Sequence, residues 1–390
     1  MEHPPPVCST RFSDVVKKKI IESFGDASNE VLRSLAEPVQ TYYVRCNTHK
    51  ILPDKLVSIL REKGLEIVQN ANINEALGIV IKGPFDIQRT ARNIIVDKKT
   101  AESVLQGANV YAPGIVNAGS MRFGDYITIL SELGEVIATG KAEMNVTEVL
   151  RHKKGLAVSI SNRRFLSPQI RETQEFTNGL LYPQSLAAML TTRVLDPKPG
   201  ETIVDMNCAP GGKLSHISQL MQNEGKIYGF DRNARKVGRT REIVSTLGCE
   251  NVILSIHDSR YLDEDFSHLK PDRVLVDPPC SALGLRPKAY DFTTQDRIEN
   301  LAAYQRQFIK TASHLVKPGG TIVYSVCTFT AEECERVTEF GVRECNLRLV
   351  PQEPMLGSPG LRTTEVGALC QRFNPHTHEI GYCIAKFEKN

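Results

Sequence analysis

The chain has no tryptophan, no Cys-X-X-Cys pair and no run of 18 apolar residues. The last absence excludes a membrane-spanning helix, which needs about 20 such residues to cross the hydrocarbon core. The first residues, MEHPPPVCST, lack the basic start and apolar core of a secretory leader, so no export is expected. Ten cysteines at irregular spacing in a chain of this kind read as reduced thiols rather than a disulfide framework. The expected location is the cytoplasm. Cys370, His376, His378 and Cys383 invite a zinc reading, but their spacing fits no finger, and no metal is expected.

Excess charge is also missing. Against 45 acidic residues stand 48 basic ones, a net of +3, so overall charge argues for no particular partner. Two local stretches are basic, RHKK (151–154) and RNARKVGRTR (232–241). Each can face phosphates or be a solvated helix face.

What is present is ordinary globular composition, 41% apolar and 24% charged over 390 residues, enough for two or three cores. Residues 1–40 read as a helical segment, with helical spacing over 12–37 broken near Gly25-Asp26-Ala27-Ser28. Residues 41–91 read as a small α+β unit, RRM-like: TYYVRCN alternates as a strand, PDKLVSILREKG is an amphipathic helix, and LEIVQN and GIVIKGP are extended. Over 92–166, short strands such as YITIL and EVIATGKAEM separated by glycine turns predict a small β barrel or sandwich. From 167 to 390 the pattern is α/β. Strands are predicted at TIVDM (202–206), KIYGF (226–230), NVILSI (251–256), RVLVD (273–277) and TIVYSV (321–326), and helices at 213–222, 233–246 and 298–316. Near-continuous apolar strands flanked by helices imply a doubly covered parallel sheet, with function at the strands' carboxyl ends.

The first such end reads DMNCAPGGKLS. Glycines admit close backbone approach and a following helix offers free amides. A P-loop is excluded by spacing, because Asn207 stands where glycine is needed and Leu214 where Ser or Thr belongs. Asp231 ends the second strand, 20 residues after Gly211, where doubly wound folds place an acid on ribose hydroxyls. Asp258 follows the third strand, suitably placed for an adenine amine, and Asp277 ends the fourth. Singly, each acid can be a cap or a solvated residue; together they point to a nucleoside-containing cofactor.

The strand ends VLVDPPCSALG (274–284) and IVYSVCTFT (322–330) each present a thiol. DPPCS, YSVCT and the APGGK turn together resemble the Nop/Sun family of RNA cytosine carbon-5 methyltransferases, which use S-adenosylmethionine. RCNTHK (45–50) resembles the family's short amino-terminal signature, and the middle region with GANVYAPGIV (107–116) looks like a PUA domain. The resemblance covers nearly the whole chain from about residue 41, and implies a Rossmann-like methyltransferase with an inserted all-β PUA module. It implies RNA as partner, tRNA near its acceptor end, and no membrane or metal; nothing demands more than a monomer. It also implies a cofactor pocket from Asn207, Cys208, Ala209, Pro210, Gly211, Gly212 and Lys213 with Asp231, Asp258 and Asp277. Where the family's turn reads Asp-Leu-Cys-Ala-Ala-Pro-Gly-Gly-Lys, Met206, Asn207 and Cys208 depart from it.

Carbon 5 of a pyrimidine is a poor nucleophile. A thiolate adding at carbon 6 makes the ring enamine-like and splits one hard step into easier ones. A second thiol can then assist loss of the carbon 5 proton as a base. Chemistry alone does not assign the roles. The resemblance gives attack to Cys327 and release to Cys280, with Asp277 steadying the cytosine edge. Lys213, at the end of the glycine turn, can contact the base or a phosphate and favour a nearby thiolate; a helix-surface lysine is the other reading. Cys208 reads as a small packing residue. A target base has to leave its stack to reach the thiols, and without tryptophan any stacking surface must use Tyr, Phe, His or Arg. Phe373 is a candidate pocket residue or an ordinary loop anchor. The competing reading is an RNA-binding or chaperone protein that keeps the fold without turnover.

Overall fold

The computed structural model describes residues 11–362 and 365–390. Five β-branched runs form adjacent parallel strands, in the order Val252–Ile256, Lys226–Asp231, Thr202–Asp205, Arg273–Val276, Thr321–Val326. Their side chains alternate between two cores. Val204, Val274, Val276 and Tyr324 face the helix Gln295–Leu315, which contributes Phe308 and Ala312. Ile203, Leu275 and Val323 face the helices Leu186–Leu195 and Gly212–Leu220 through Leu190, Leu214 and Ile217. The strand order reverses between Thr202–Asp205 and Arg273–Val276, so the carboxyl ends there open a crevice.

The sheet extends further than the parallel sheet predicted. Tyr382–Lys389 runs antiparallel to Thr321–Val326, followed by Gln371–Phe373 and Ser358–Pro359. An antiparallel return needs no helical crossover, so the βα alternation that marks parallel strands is absent from this tail.

The strands Thr41–Cys46, Ile67–Gln69 and Ala76–Val80 form an antiparallel sheet over the helix Pro53–Glu62, whose Leu56, Val57 and Leu60 are buried. The fourth strand of this sheet is Leu181–Pro183, paired with Thr41–Cys46. The assignment of all of 167–390 to one domain therefore needs correction: the first unit is completed by Leu181–Pro183, assigned above to the carboxy-terminal domain. A three-residue strand ending in proline has no period to read. Amino-terminal to this sheet, helices Asp14–Phe24 and Ser28–Leu35 flank a 3-10 turn at Gly25–Ala27. Val16, Ile20, Val31 and Leu35 pack on Leu283 and Phe329, in the loops that carry the thiols. Residues 1–10 of the predicted helical segment lie outside the described residues.

The middle unit is a six-stranded sheet over residues 92–163, from Val110–Tyr111 at one edge to Ile115–Asn117 at the other. Asn145, the asparagine of a formal glycosylation sequon, caps the helix Val146–His152 in a capping box with Glu148. Ala289 and Tyr290 of the carboxy-terminal unit pack into this core.

Candidate active site

At the end of Thr202–Asp205 the chain turns sharply and enters the helix Gly212–Leu220. Gly211 holds the turn at φ +110°, where a side chain would be strained and its Cβ would press on Thr240 at 3.2 Å. The helix's first amides are thereby left facing the crevice. Asp205 is buried and accepts the Asn207 amide at 3.1 Å; burial pushes its carboxyl up to about 7. The side-chain oxygen of Asn207 is buried and has no hydrogen-bond partner among the described residues. An unmet buried acceptor costs about 1–3 kcal/mol, so it is an open position for a donor.

Asn207, Asp231, Asp258, Tyr304 and Phe308 line one cavity beside this turn. Arg232 and Lys236, from the basic stretch 232–241, reach the same cavity, while Arg235, Arg239 and Arg241 stay exposed. Asp231 caps the following turn by accepting the Asn233 amide at 2.8 Å. Asp258 is not a free acid. The Arg260 guanidinium grips it at 3.0 and 2.7 Å, the main reason its carboxyl sits below the usual range, and lies 4.9 Å over the Tyr304 ring. Cys208 is buried behind the turn, packed against Gly229, and burial pushes its thiol up, as suits a packing residue. Ala209 and Pro210 complete the turn between Cys208 and Gly211.

Arg45, quoted above only as part of a signature, reaches this turn from the first sheet. It is 1% exposed and donates to the Gly212 carbonyl at 2.6 Å and to Ser215 Oγ at 2.7 Å. A fully buried guanidinium with such partners fixes one unit against the other.

The remaining candidates meet at the ends of the fourth and fifth strands. Cys280 Sγ and Cys327 Sγ lie 3.3 Å apart. Lys213 Nζ is 2.6 Å from Asp277, whose other oxygen accepts from Ser325 Oγ at 2.8 Å and lies 3.5 Å from the Tyr382 hydroxyl. Asp277 thus stands with the thiols. Burial opposes the Lys213 charge, but Asp277 and Tyr382 outweigh it and hold the ammonium well above its ordinary range. The hydrogen bond from Cys280 leads in drawing the Cys327 thiol down, and Lys213 adds to it, against burial and Asp277. The same bond, with burial and Glu333, pushes Cys280 well up. Of the two thiols, Cys327 is therefore the more readily ionised.

Glu333, Ser325 and Tyr382 were not singled out from sequence. Glu333 is fully buried and accepts from the Ser281 amide at 2.8 Å, Ser281 Oγ at 2.5 Å, Thr330 Oγ1 at 2.9 Å and Gln305 Nε2 at 3.0 Å. It ties the Cys280 loop to the Cys327 loop. The Gly284 amide donates to the Cys327 carbonyl at 3.1 Å, and a Cβ on Gly284 would collide with the Gly381 backbone. An acid in AEECE looks solvated in sequence, since buried acids are rare; its position three residues after Thr330 was the only signal.

Phe373 is 2% exposed in a strand core, an anchor rather than a pocket wall. Cys370 and Cys383 are buried in the other core of the sheet, whereas His376 bonds Ser34 and His378 bonds Thr377. The exposed run Arg151 to Lys154 ends the helix Val146–His152.

A doubly wound sheet with a glycine turn, an acid at each neighbouring strand end and a β module inserted before it defines a Rossmann-like, S-adenosylmethionine-dependent methyltransferase carrying a PUA domain. Residues 192–388 match the family described as 16S rRNA methyltransferase RsmB/F, and residues 92–163 match the PUA domain. The chain belongs to this RsmB/F, Nop/Sun family. It is 38% identical over 369 residues to the tRNA (cytosine(72)-C(5))-methyltransferase of Pyrococcus horikoshii, covering 93% of each chain. It is 30% identical to human tRNA (cytosine(72)-C(5))-methyltransferase NSUN6, covering 92% of this chain and 86% of that one. The solved structure of NSun6 from Pyrococcus horikoshii with SFG, an S-adenosylmethionine analogue, superposes with a TM-score of 0.90 at 37% identity, covering 97% of this chain and 98% of that one.

Proposed function

We propose that this protein methylates carbon 5 of a cytosine in tRNA near the acceptor end, with Cys327 as nucleophile and Cys280 as the base that completes release. The observation that carries this reading is the thiol pair 3.3 Å apart at two adjacent strand ends, beside a lysine–aspartate pair. The tRNA substrate rests on the names of the relatives and on the PUA module.

The residues fit S-adenosylmethionine: the unmet Asn207 oxygen, the Gly211 cradle with its helix amides, and Asp231 at the ribose position. When bound there, the cofactor supplies an electrophilic methyl group. Asp258 lines the same cavity, and its carboxylate has acceptor capacity beyond the three hydrogen bonds that Arg260 donates.

The Cys327 thiolate adds to carbon 6 of an extruded cytosine, and the ring's electrons shift to carbon 5, which would take the methyl group as its bond to the cofactor's sulfur breaks and the electron pair stays on that sulfur. Asp277 presents a carboxylate to the base's amino edge, and Lys213 keeps positive charge beside the developing negative charge. Cys327 loses its own negative charge on bonding carbon. The chief cause of Cys280's reluctance to ionise then disappears, so Cys280 gives its proton to solvent. Its thiolate takes the proton from carbon 5, the double bond re-forms, and the carbon–sulfur bond breaks to return the Cys327 thiolate. Both thiols must stay free, which suits a reducing compartment such as the cytoplasm. One chain carries all these groups, so a monomer suffices.

The test is methyl transfer from labelled S-adenosylmethionine to tRNA transcripts, with bisulfite sequencing of the product. Bound cofactor without transfer to any transcript would favour the binding-protein reading.

A further inference from the structure

A cavity of about 560 Å³ opens between the PUA-matching unit and the loop that follows Cys280. Ser281 and Ala282, the residues directly after Cys280, form one wall. Phe292 forms another, with 54% of its surface exposed. Its ring stacks on Tyr290 at 5.1 Å and 21°. Tyr290 is itself fixed: its hydroxyl donates to Glu132 at 2.6 Å, its ring packs on the PUA-side core, and Lys98 sits 5.3 Å over it. The Phe292 backbone is held on one side by Asp291, whose amide and carbonyl pair with Arg11 and Ser13 at 2.8 and 3.0 Å. The aromatic pair is therefore a rigid ledge with one face uncovered among the described residues.

We infer that Phe292 is a stacking platform for a nucleobase of the substrate RNA next to the target cytosine. The occupant follows from chemistry and place. A planar apolar face suits a base of any sequence, and removing such a ring weakens single-strand binding because every base has a π face. Ser281, the residue after Cys280, lines the cavity, so an extruded cytosine leaves its neighbour at this ledge. Lys98, Lys288 and Arg297 line the cavity against Glu102 and Asp291. The first two lysines are engaged by Asp291 at 3.6 and 3.0 Å, while Arg297 stands exposed at the rim, placed for the intervening phosphate. This inference rests on the proposed RNA substrate.

The experiment uses the full chain and a tRNA transcript that the wild type methylates. Because the sequence contains no tryptophan, Phe292→Trp places a sole indole on the ledge. Its emission is expected to be quenched on adding the transcript, without cofactor or turnover. Phe292→Ala is expected to raise KM for the transcript about tenfold, with kcat changed far less and S-adenosylmethionine binding unchanged, and Phe292→Trp to restore KM. Unquenched emission, or an alanine variant with wild-type KM, would overturn the platform while leaving the methylation reading intact. A wild type that methylates no tRNA would overturn that reading and the platform with it.

Discussion

The two strand ends that carry thiols are built alike and behave oppositely. Each is an apolar strand followed by a cysteine, and the sulfurs touch. Yet Cys327 has the Lys213 ammonium among its neighbours, and Cys280 has the Glu333 carboxylate. Cys327 is therefore drawn toward ionisation and Cys280 away from it; the hydrogen bond between the sulfurs leads that difference, and charges on other elements adjust it. Chemical role here belongs to the surroundings of a side chain more than to its type.

Several substitutions can break this contrast. The largest effect is expected at the nucleophile: Cys327→Ser should lower kcat by about 10⁴-fold, read as methyl incorporation into tRNA. Cys280→Ser should instead trap the intermediate, giving a covalent RNA–protein band on a denaturing gel that disappears in the double variant. A band in Cys327→Ser alone would reverse the two roles. Lys213→Met acts on the electrostatic side. The active form of Cys327 is the thiolate, so kcat/KM should rise with pH through the Cys327 titration. Removing the cation leaves Asp277 unopposed, and the acid limb should move to higher pH; an unmoved limb would remove Lys213 from the account. Cofactor affinity measured alongside separates this from damage to the glycine turn. The smallest change is Glu333→Gln. The amide keeps the shape but loses acceptor capacity toward Ser281 and Thr330, so stability should fall by about 1–3 kcal/mol, seen as a lower Tm.

Much of the sheet and the site could be read from the sequence because the relevant signals are local. Five β-branched runs, a glycine turn and two Cys-bearing strand ends each lie within about ten residues. What escaped depends on contacts distant along the chain. Arg45 holds Gly212 across 167 residues, and Glu333 meets Ser281 across 52. Leu181–Pro183 is a strand only because Thr41–Cys46 lies beside it. The ion pair of Asp258 escaped for the opposite reason: its partner Arg260 is two residues away, but whether a neighbouring arginine turns inward is not written in spacing.

That late strand has a consequence for how the protein is made. The first sheet stays open until Leu181 emerges, 101 residues after Val80 (181 − 80). Closing a flexible loop of that length would cost about 4 kcal/mol. The inserted unit shortens it: the Leu166 amide donates to Lys82 at 2.8 Å and the Phe85 amide to Arg164 at 2.8 Å, so the chain enters and leaves side by side. During synthesis, the module in the middle would fold first and hand the waiting sheet its last strand, making it a staple for the unit that precedes it.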